Sequence, residues 1–189
     1  TYELTGVECD VRWENAQVGA ISREEFMAIA DGAGIGDEIG RWVVGEACRQ
    51  VAAWRKRFER DFFVSARFSA RQIRDPGFVA FIRETLETHS LPTRALEIAV
   101  TEASVVEAPR EARAALDALR LTGVGIAIDD FGAGHSSLSQ IRRLPVDCMK
   151  LGRSLMSDLY IDMGAQGVIA AVLAMARGMR VRSVADGIE

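Results

Sequence analysis

The sequence predicts an α/β fold built on a parallel sheet or a barrel. Three observations predict it. Strand-like runs alternate with helical patterns along the whole chain, the pattern of a parallel sheet or barrel. Charged residues gather where the strand-like runs end, which is where such folds build their sites. An apolar content of 49% supports one sizeable core, and no low-complexity stretch or linker divides it. Residues 1–189 therefore read as one partial domain. Both ends fall on strand-like patterns, so a fragment of a larger protein is expected.

The elements follow in order. "GVECDVRW" reads as a strand. "SREEFMAIADGAG" reads as a helix, with Ser22 as N-cap and Glu25 as its capping-box partner. "DEIGRWVVGEACRQVAAWRKRF" carries apolar residues at helical spacing. Then come strand "FFVSARFS", helix "PGFVAFIRETLETH", strand "ALEIAVTE" and helix "PREARAALDALRLTG". Strand "GIAIDD", short helix "SSLSQIRRL", strand "CMKLG", helix "MGAQGVIAAVLAMARGM" and strand "RVRSVAD" complete the pattern. The basic run "RQVAAWRKRFER" reads as a solvated helix face, and Met163, Met175 and Met179 read as core.

Composition excludes several functions. The net charge of −4 argues against non-specific binding to nucleic acid. Cys9, Cys48 and Cys148 are scattered, with no CxxC, which argues against a disulfide framework or a zinc site and for reduced thiols. Two histidines, His89 and His135, rule out a histidine-rich metal centre. "GVIAAVLAMA" is too short to span a bilayer. A cytoplasmic domain is expected, in a full-length protein that could itself be membrane-attached.

The stretch "AIDDFGAGHSSL" raises the functional question. Asp129 and Asp130 end an apolar run, and buried carboxylates are expensive unless something uses them. A lone strand-end aspartate is more often a cap or turn residue. Here Glu102, Lys150 and Asp186 end other strands, which points to one shared polar mouth. Side chains alternate along a strand. Glu8, Asp10 and Arg12 thus share one face of "ECDVRW", and Arg67 shares a face with Ser65 and Ser69.

These residues resemble the EAL domain family. "DDFGAGHSSLSQIRRLPVDCMKLGRS" is similar to its DDFGxGxSSL and LPVDxLKIDxS signatures. "ECDVRW" is similar to EALxRW, "SARQI" to the end of VNLSARQL, "AVTE" to EITE and "ADGIE" to AEGVE. The matches fall in family order from residue 2 onward. The resemblance implies a (β/α) barrel of the TIM type, incomplete in this chain, in a family that hydrolyses cyclic di-GMP to linear pGpG with Mg²⁺ or Mn²⁺. Two such cations lower the pKa of the attacking water and stabilise the attacking and leaving oxygens. They require oxygen ligands.

By the resemblance, Glu8, Asp129 and Asp130 stand at metal-binding positions and Arg12 at a ligand-phosphate contact. Glu102 supports the loop after the paired aspartates. Lys150 stands at the catalytic lysine and Asp186 at the general base. Glu189 matches the last motif residue and is assigned to ligand binding, and His135 stands where a tyrosine is common. The chain departs from the family at metal positions, which fall on Arg67 and Ala99, and at Gly152, where an aspartate is usual. A guanidinium about 4 Å from a cation repels each unit of its charge by about 4 kcal/mol at an effective dielectric near 20. Asp186 is a methylene shorter than the family's glutamate, and a displacement of about 1 Å can cost on the order of 10²-fold in rate.

The expectation is a catalytically degenerate EAL-like domain with a regulatory role, and a cyclic di-GMP receptor is one form of it. The alternatives are a weakly active metal-dependent phosphodiesterase and a protein-interaction or dimerisation module. A cofactor would be Mg²⁺ or Mn²⁺, or none. Expected partners are cyclic di-GMP, a second copy of the chain, and sensor or GGDEF domains of the same protein. Arg67 is expected in the emptied metal region, paired with Asp10, Glu8 or Asp129. The alternative leaves it pointing to solvent.

Overall fold

The apolar runs form parallel strands that curl into part of a barrel. The computed structural model describes residues 3–107, 109–133, 141–157, 159 and 162–187. Its strands are β1 (Gly6–Cys9), β2 (Trp13–Asn15), β3 (Gly19–Ile21), β4 (Phe63–Phe68), β5 (Leu96–Thr101), β6 (Gly125–Phe131), β7 (Cys148–Leu151) and β8 (Arg182–Ala185). Six of them form one parallel sheet in the order β1-β4-β5-β6-β7-β8, and β2 and β3 form a separate antiparallel hairpin. The sheet is a curled half-barrel, as the alternating pattern predicts.

Its two faces carry different residues because side chains alternate. Outward, Ile98, Val100, Ile126, Ile128, Met149 and Leu151 are almost fully buried in the main core. The covering helices include α1 (Arg23–Gly32), α2 (Gly36–Phe58), α3 (Ala70–Arg74), α4 (Phe78–Thr88), α5 (Glu102–Glu107) and α6 (Pro109–Arg120). They continue with α7 (Arg153–Ser157) and α8 (Met163–Met179). Inward, Ala99, Ala127 and Cys148 form a small separate cluster. Small residues there leave the barrel interior open to charged side chains from the same strands.

Local chemistry sets the boundaries. The Ser22 hydroxyl accepts the Glu25 amide at 3.2 Å and starts α1. Ser69 and Gln72 form a full capping box that starts α3 directly after β4. The strand expected over "GVECDVRW" splits in two. Asp10 takes up the Val11 amide at 3.0 Å, so that amide needs no ladder partner, and Trp13 pairs instead with Ile21 in the hairpin. Met163 is a correction: it is 86% exposed, because it opens α8 before the helix reaches the sheet. Met175 and Met179 do pack against the core. Most of the helix expected over "SSLSQIRRL" lies outside the described residues.

Ile128 tests this packing. Changing Ile128→Ala should lower the unfolding free energy by about 2–5 kcal/mol, read from the urea midpoint. A loss under about 1 kcal/mol would contradict a close-packed outer layer.

Candidate functional site

Parallel strands end at the same edge, so their C-terminal residues are brought together. β6 carries the paired aspartates just before its last residue, β7 carries Lys150, and Glu102 and Asp186 follow β5 and β8. Glu8 lies near the end of β1, and the register sets Glu8 beside Ser65 and Arg67 beside Ala99. Ala99 in turn faces Ala127 on β6. Two methyl groups therefore lie between β4 and the paired aspartates, and the long Arg67 side chain crosses that gap.

Its guanidinium ends among three carboxylates. Nε donates to Asp129 Oδ2 at 2.6 Å, Nη1 lies 3.5 Å from Asp130 Oδ2, and Nη2 lies 3.7 Å from Glu8 Oε1. Burial works against the charged form of Arg67. The charges of Asp129, Asp130 and Glu8 outweigh it, and its pKa is held above the ordinary arginine value. Arg67 is therefore a permanent cation. Asp10 does not join this cluster; it pairs with Arg23 at 2.9 Å.

Lys150 is buried and well partnered. Its ammonium donates to Ser65 Oγ at 2.8 Å and to Glu8 Oε2 at 3.1 Å, with Glu97 Oε1 3.9 Å away. Glu97 is buried on the same face, and its other oxygen pairs with Arg182. Arg182 lies over the Phe63 ring, 4.7 Å from its centroid. A ladder of alternating charge thus runs from Asp129 through Arg67, Glu8, Lys150 and Glu97 to Arg182. The sequence reading missed Ser65 as a lysine partner, and it missed Glu97, Arg182 and Arg23. Counting back by two from Ala99 puts Glu97 on the inner face, a signal that was available.

Glu102 braces the turn after β6. Glu102 is buried, and its Oε2 accepts the Gly132 amide at 2.9 Å. Asp130 and Gly132 have φ of +53° and +96°, and only glycine takes the second freely. Gly152 sits against this turn: a Cβ there would lie 3.2 Å from Asp130 Cα, so a side chain would push the turn outward. Asp186 joins Glu8, Cys9, Asp10, Arg23 and Arg67 around a cavity of about 450 Å³. Arg12 lines a neighbouring cavity of about 430 Å³ with Trp42 and Trp54. Gly134, His135 and Glu189 lie outside the described residues.

Do these residues fit a divalent cation? Three of the carboxylates assigned to metal already share Arg67. Among the described residues no group of three metal-ligating side chains is placed to surround an ion. An ion between Asp129 and Asp130 would face the guanidinium directly, so the arrangement does not fit one.

A family model described as EAL domain matches residues 1–189. The chain belongs to the EAL domain family. It is 36% identical over 186 residues to the bifunctional diguanylate cyclase/cyclic di-GMP phosphodiesterase MucR of Pseudomonas aeruginosa, covering 98% of this chain and 27% of that protein. It is 30% identical to the signaling protein YkoW of Bacillus subtilis over 187 residues, 99% of this chain and 23% of that protein. The EAL chain thus spans about a quarter of the length of these relatives. A structure of the PaMucR phosphodiesterase in complex with c-di-GMP superposes with a TM-score of 0.89 at 35% identity, covering 96% of this chain and 74% of that one. The Xanthomonas citri FimX EAL domain in complex with c-di-GMP gives 0.83 at 26% identity, covering 95% and 70%.

The charge around the cavity also acts on Cys9. Burial pushes its thiol up to about 11, and the Glu8 and Asp10 carboxylates add to the shift. At pH 8 the thiolate is then about 10⁻³ of the total, against roughly a quarter for an ordinary cysteine. Iodoacetamide should modify Cys9 at least about tenfold more slowly than free cysteine at pH 8 and faster as pH rises towards 11. Glu8→Gln should quicken the reaction at fixed pH. Peptide mass spectrometry reads it, and a rate equal to free cysteine would contradict this electrostatic environment.

Proposed function

We propose that this EAL domain is a receptor for cyclic di-GMP that binds without a divalent cation and hydrolyses the ligand very slowly or not at all. One observation carries this reading: the Arg67 guanidinium lies among Asp129, Asp130 and Glu8, the residues assigned to metal. Arginine has five N–H donors in a planar fork. The three carboxylates engage its three nitrogens, and each Nη carries a second N–H. Those donors suit a phosphodiester oxygen. The PaMucR phosphodiesterase and the Xanthomonas citri FimX EAL domain are both seen in complex with c-di-GMP, which supports the same ligand here.

The site's chemistry argues against turnover. Hydrolysis needs a water made nucleophilic and a stabilised leaving oxygen. A guanidinium held above its ordinary pKa takes up no proton from water. Lys150, assigned to catalysis, is occupied by Ser65 and Glu8. Asp186, assigned as the base, reaches the cavity but is one methylene short. Arg67 itself supplies a fixed positive charge that can hold a phosphodiester. A weak phosphodiesterase is the second reading. What favours it is the gathering of Glu8, Asp129, Asp130 and Lys150 at one end of the sheet.

Titration calorimetry of cyclic di-GMP into the intact protein separates these readings. The receptor should bind equally well in EDTA and in excess Mn²⁺, with no pGpG formed. Binding that requires Mn²⁺, or turnover on the order of 1 s⁻¹, would favour the phosphodiesterase. No binding in either condition would leave a protein-interaction module.

The metal region has its own test. Arg67→Asn removes the guanidinium, and Ala99→Glu adds a carboxylate at the facing register position. Neither change alone should create a Mn²⁺ site. The double variant should bind Mn²⁺ tighter than the sum of the single effects predicts, because both residues would serve one ion. Mn²⁺ electron paramagnetic resonance reads it. A folded double variant no better than the unaltered protein would mean that Arg67 is not what keeps metal out.

A further inference from the structure

A second charged pair lines the 450 Å³ cavity, apart from the Arg67 cluster. Asp10 leaves β1 where the strand stops, and Arg23 is the first residue of α1. Arg23 Nε lies 2.9 Å from Asp10 Oδ1, the oxygen that also accepts the Val11 amide. One oxygen of Asp10 and one nitrogen of Arg23 are thus used internally. Among the described residues, neither Asp10 Oδ2 nor the Nη groups of Arg23 make a hydrogen bond. The Asp10 side chain is 52% exposed, so that free oxygen is within a ligand's reach.

The pair therefore offers N–H donors beside a carboxylate acceptor. A phosphate suits the donors but is repelled by the carboxylate. A neutral edge with an acceptor next to a donor suits both groups. The Watson–Crick edge of guanine is such an edge, with carbonyl O6 beside N1–H. Adenine has its amino group beside an acceptor nitrogen, the reverse order. It would have to turn over, which carries its sugar to the other side of the cavity. We propose that Asp10 and Arg23 read a guanine base of the bound ligand, Arg23 donating to O6 and Asp10 Oδ2 accepting from N1–H.

This rests on the receptor reading, in which Arg67 meets a phosphodiester oxygen. Both groups line the same cavity, so one nucleotide could touch each. The division of labour has a physical basis. A phosphate is attracted to any cation, so Arg67 supplies affinity without choosing a base. The donor–acceptor order of the second pair does choose. The ion pair keeps the Arg23 side chain beside Asp10 before the ligand arrives, which lowers the ordering cost of binding.

Calorimetry on the intact protein with cyclic di-GMP and cyclic di-AMP tests the assignment. The variants are Asp10→Asn, Asp10→Leu and Arg23→Ala, each checked for folding by circular dichroism. Asp10→Asn nearly keeps the shape, so it remains informative even if the others disturb the hairpin. The unaltered protein should prefer cyclic di-GMP. Each variant should bind cyclic di-GMP about five- to a hundredfold more weakly, the range for one base-reading contact. Affinity for cyclic di-AMP should change little, so the preference falls. Wild-type affinity in Asp10→Asn and Arg23→Ala would overturn the assignment and leave the receptor reading standing. An equal fall for both ligands would also overturn it, because that is what a purely structural pair would give. If the unaltered protein binds neither ligand, the receptor reading fails and takes this assignment with it.

Discussion

The contact between Arg67 and Asp129 constrains everything else at the mouth of the half-barrel. Asp129 is almost fully buried at a strand end, and a buried carboxylate needs a partner. Arg67 supplies it from two strands away, at 2.6 Å. The crossing is possible only because Ala99 and Ala127 lie level with each other in between. A longer side chain at either position would compete for the space the guanidinium fills. The small alanine at residue 99 and the arginine at residue 67 are thus two sides of one packing solution.

The same contact propagates inward. Glu8 lies between Arg67 and Lys150, and Lys150 lies between Glu8 and Glu97. Each acidic group in this ladder has a basic neighbour, so charges placed on the inner face can persist at low exposure. Such ladders are poor sources of net stability, since desolvation offsets most of the attraction. Removing the partner of Asp129, Lys150 or Glu97 is costly, because each of these charges is buried. The ladder is therefore better understood as a device that holds Arg67 and Lys150 in one arrangement than as a stabilising network.

In this EAL domain the turn that follows the paired aspartates is braced and closely packed. The Glu102 brace on the Gly132 amide supports the turn, and Gly152 lets it lie close to β7. The cavity above it is walled by both signs of charge, with Glu8, Asp10 and Asp186 facing Arg23 and Arg67. A cleft of that kind favours a ligand with both anionic and neutral polar parts. A bare metal ion would find acids that are already neutralised.

Much of this was readable before any coordinates. The alternation of strand-like and helical runs pointed to parallel strands, because a strand feeding a helix returns to a parallel neighbour, and the family resemblance added the barrel. Motif order pointed to the strand ends that carry the charged residues. Period-two alternation placed Arg67 on the inner face and named Glu8 and Asp129 among its possible partners. The sequence could not choose between those partners and Asp10, nor reveal the pairing of Asp10 with Arg23. That choice depends on where β1 stops, and β1 stops because the Asp10 side chain takes up the next amide. It depends also on inter-strand register, which sets Arg67 level with Ala99 and within reach of Asp129. Register and strand ends are properties of the assembled sheet, so only the tertiary structure decided which charges meet.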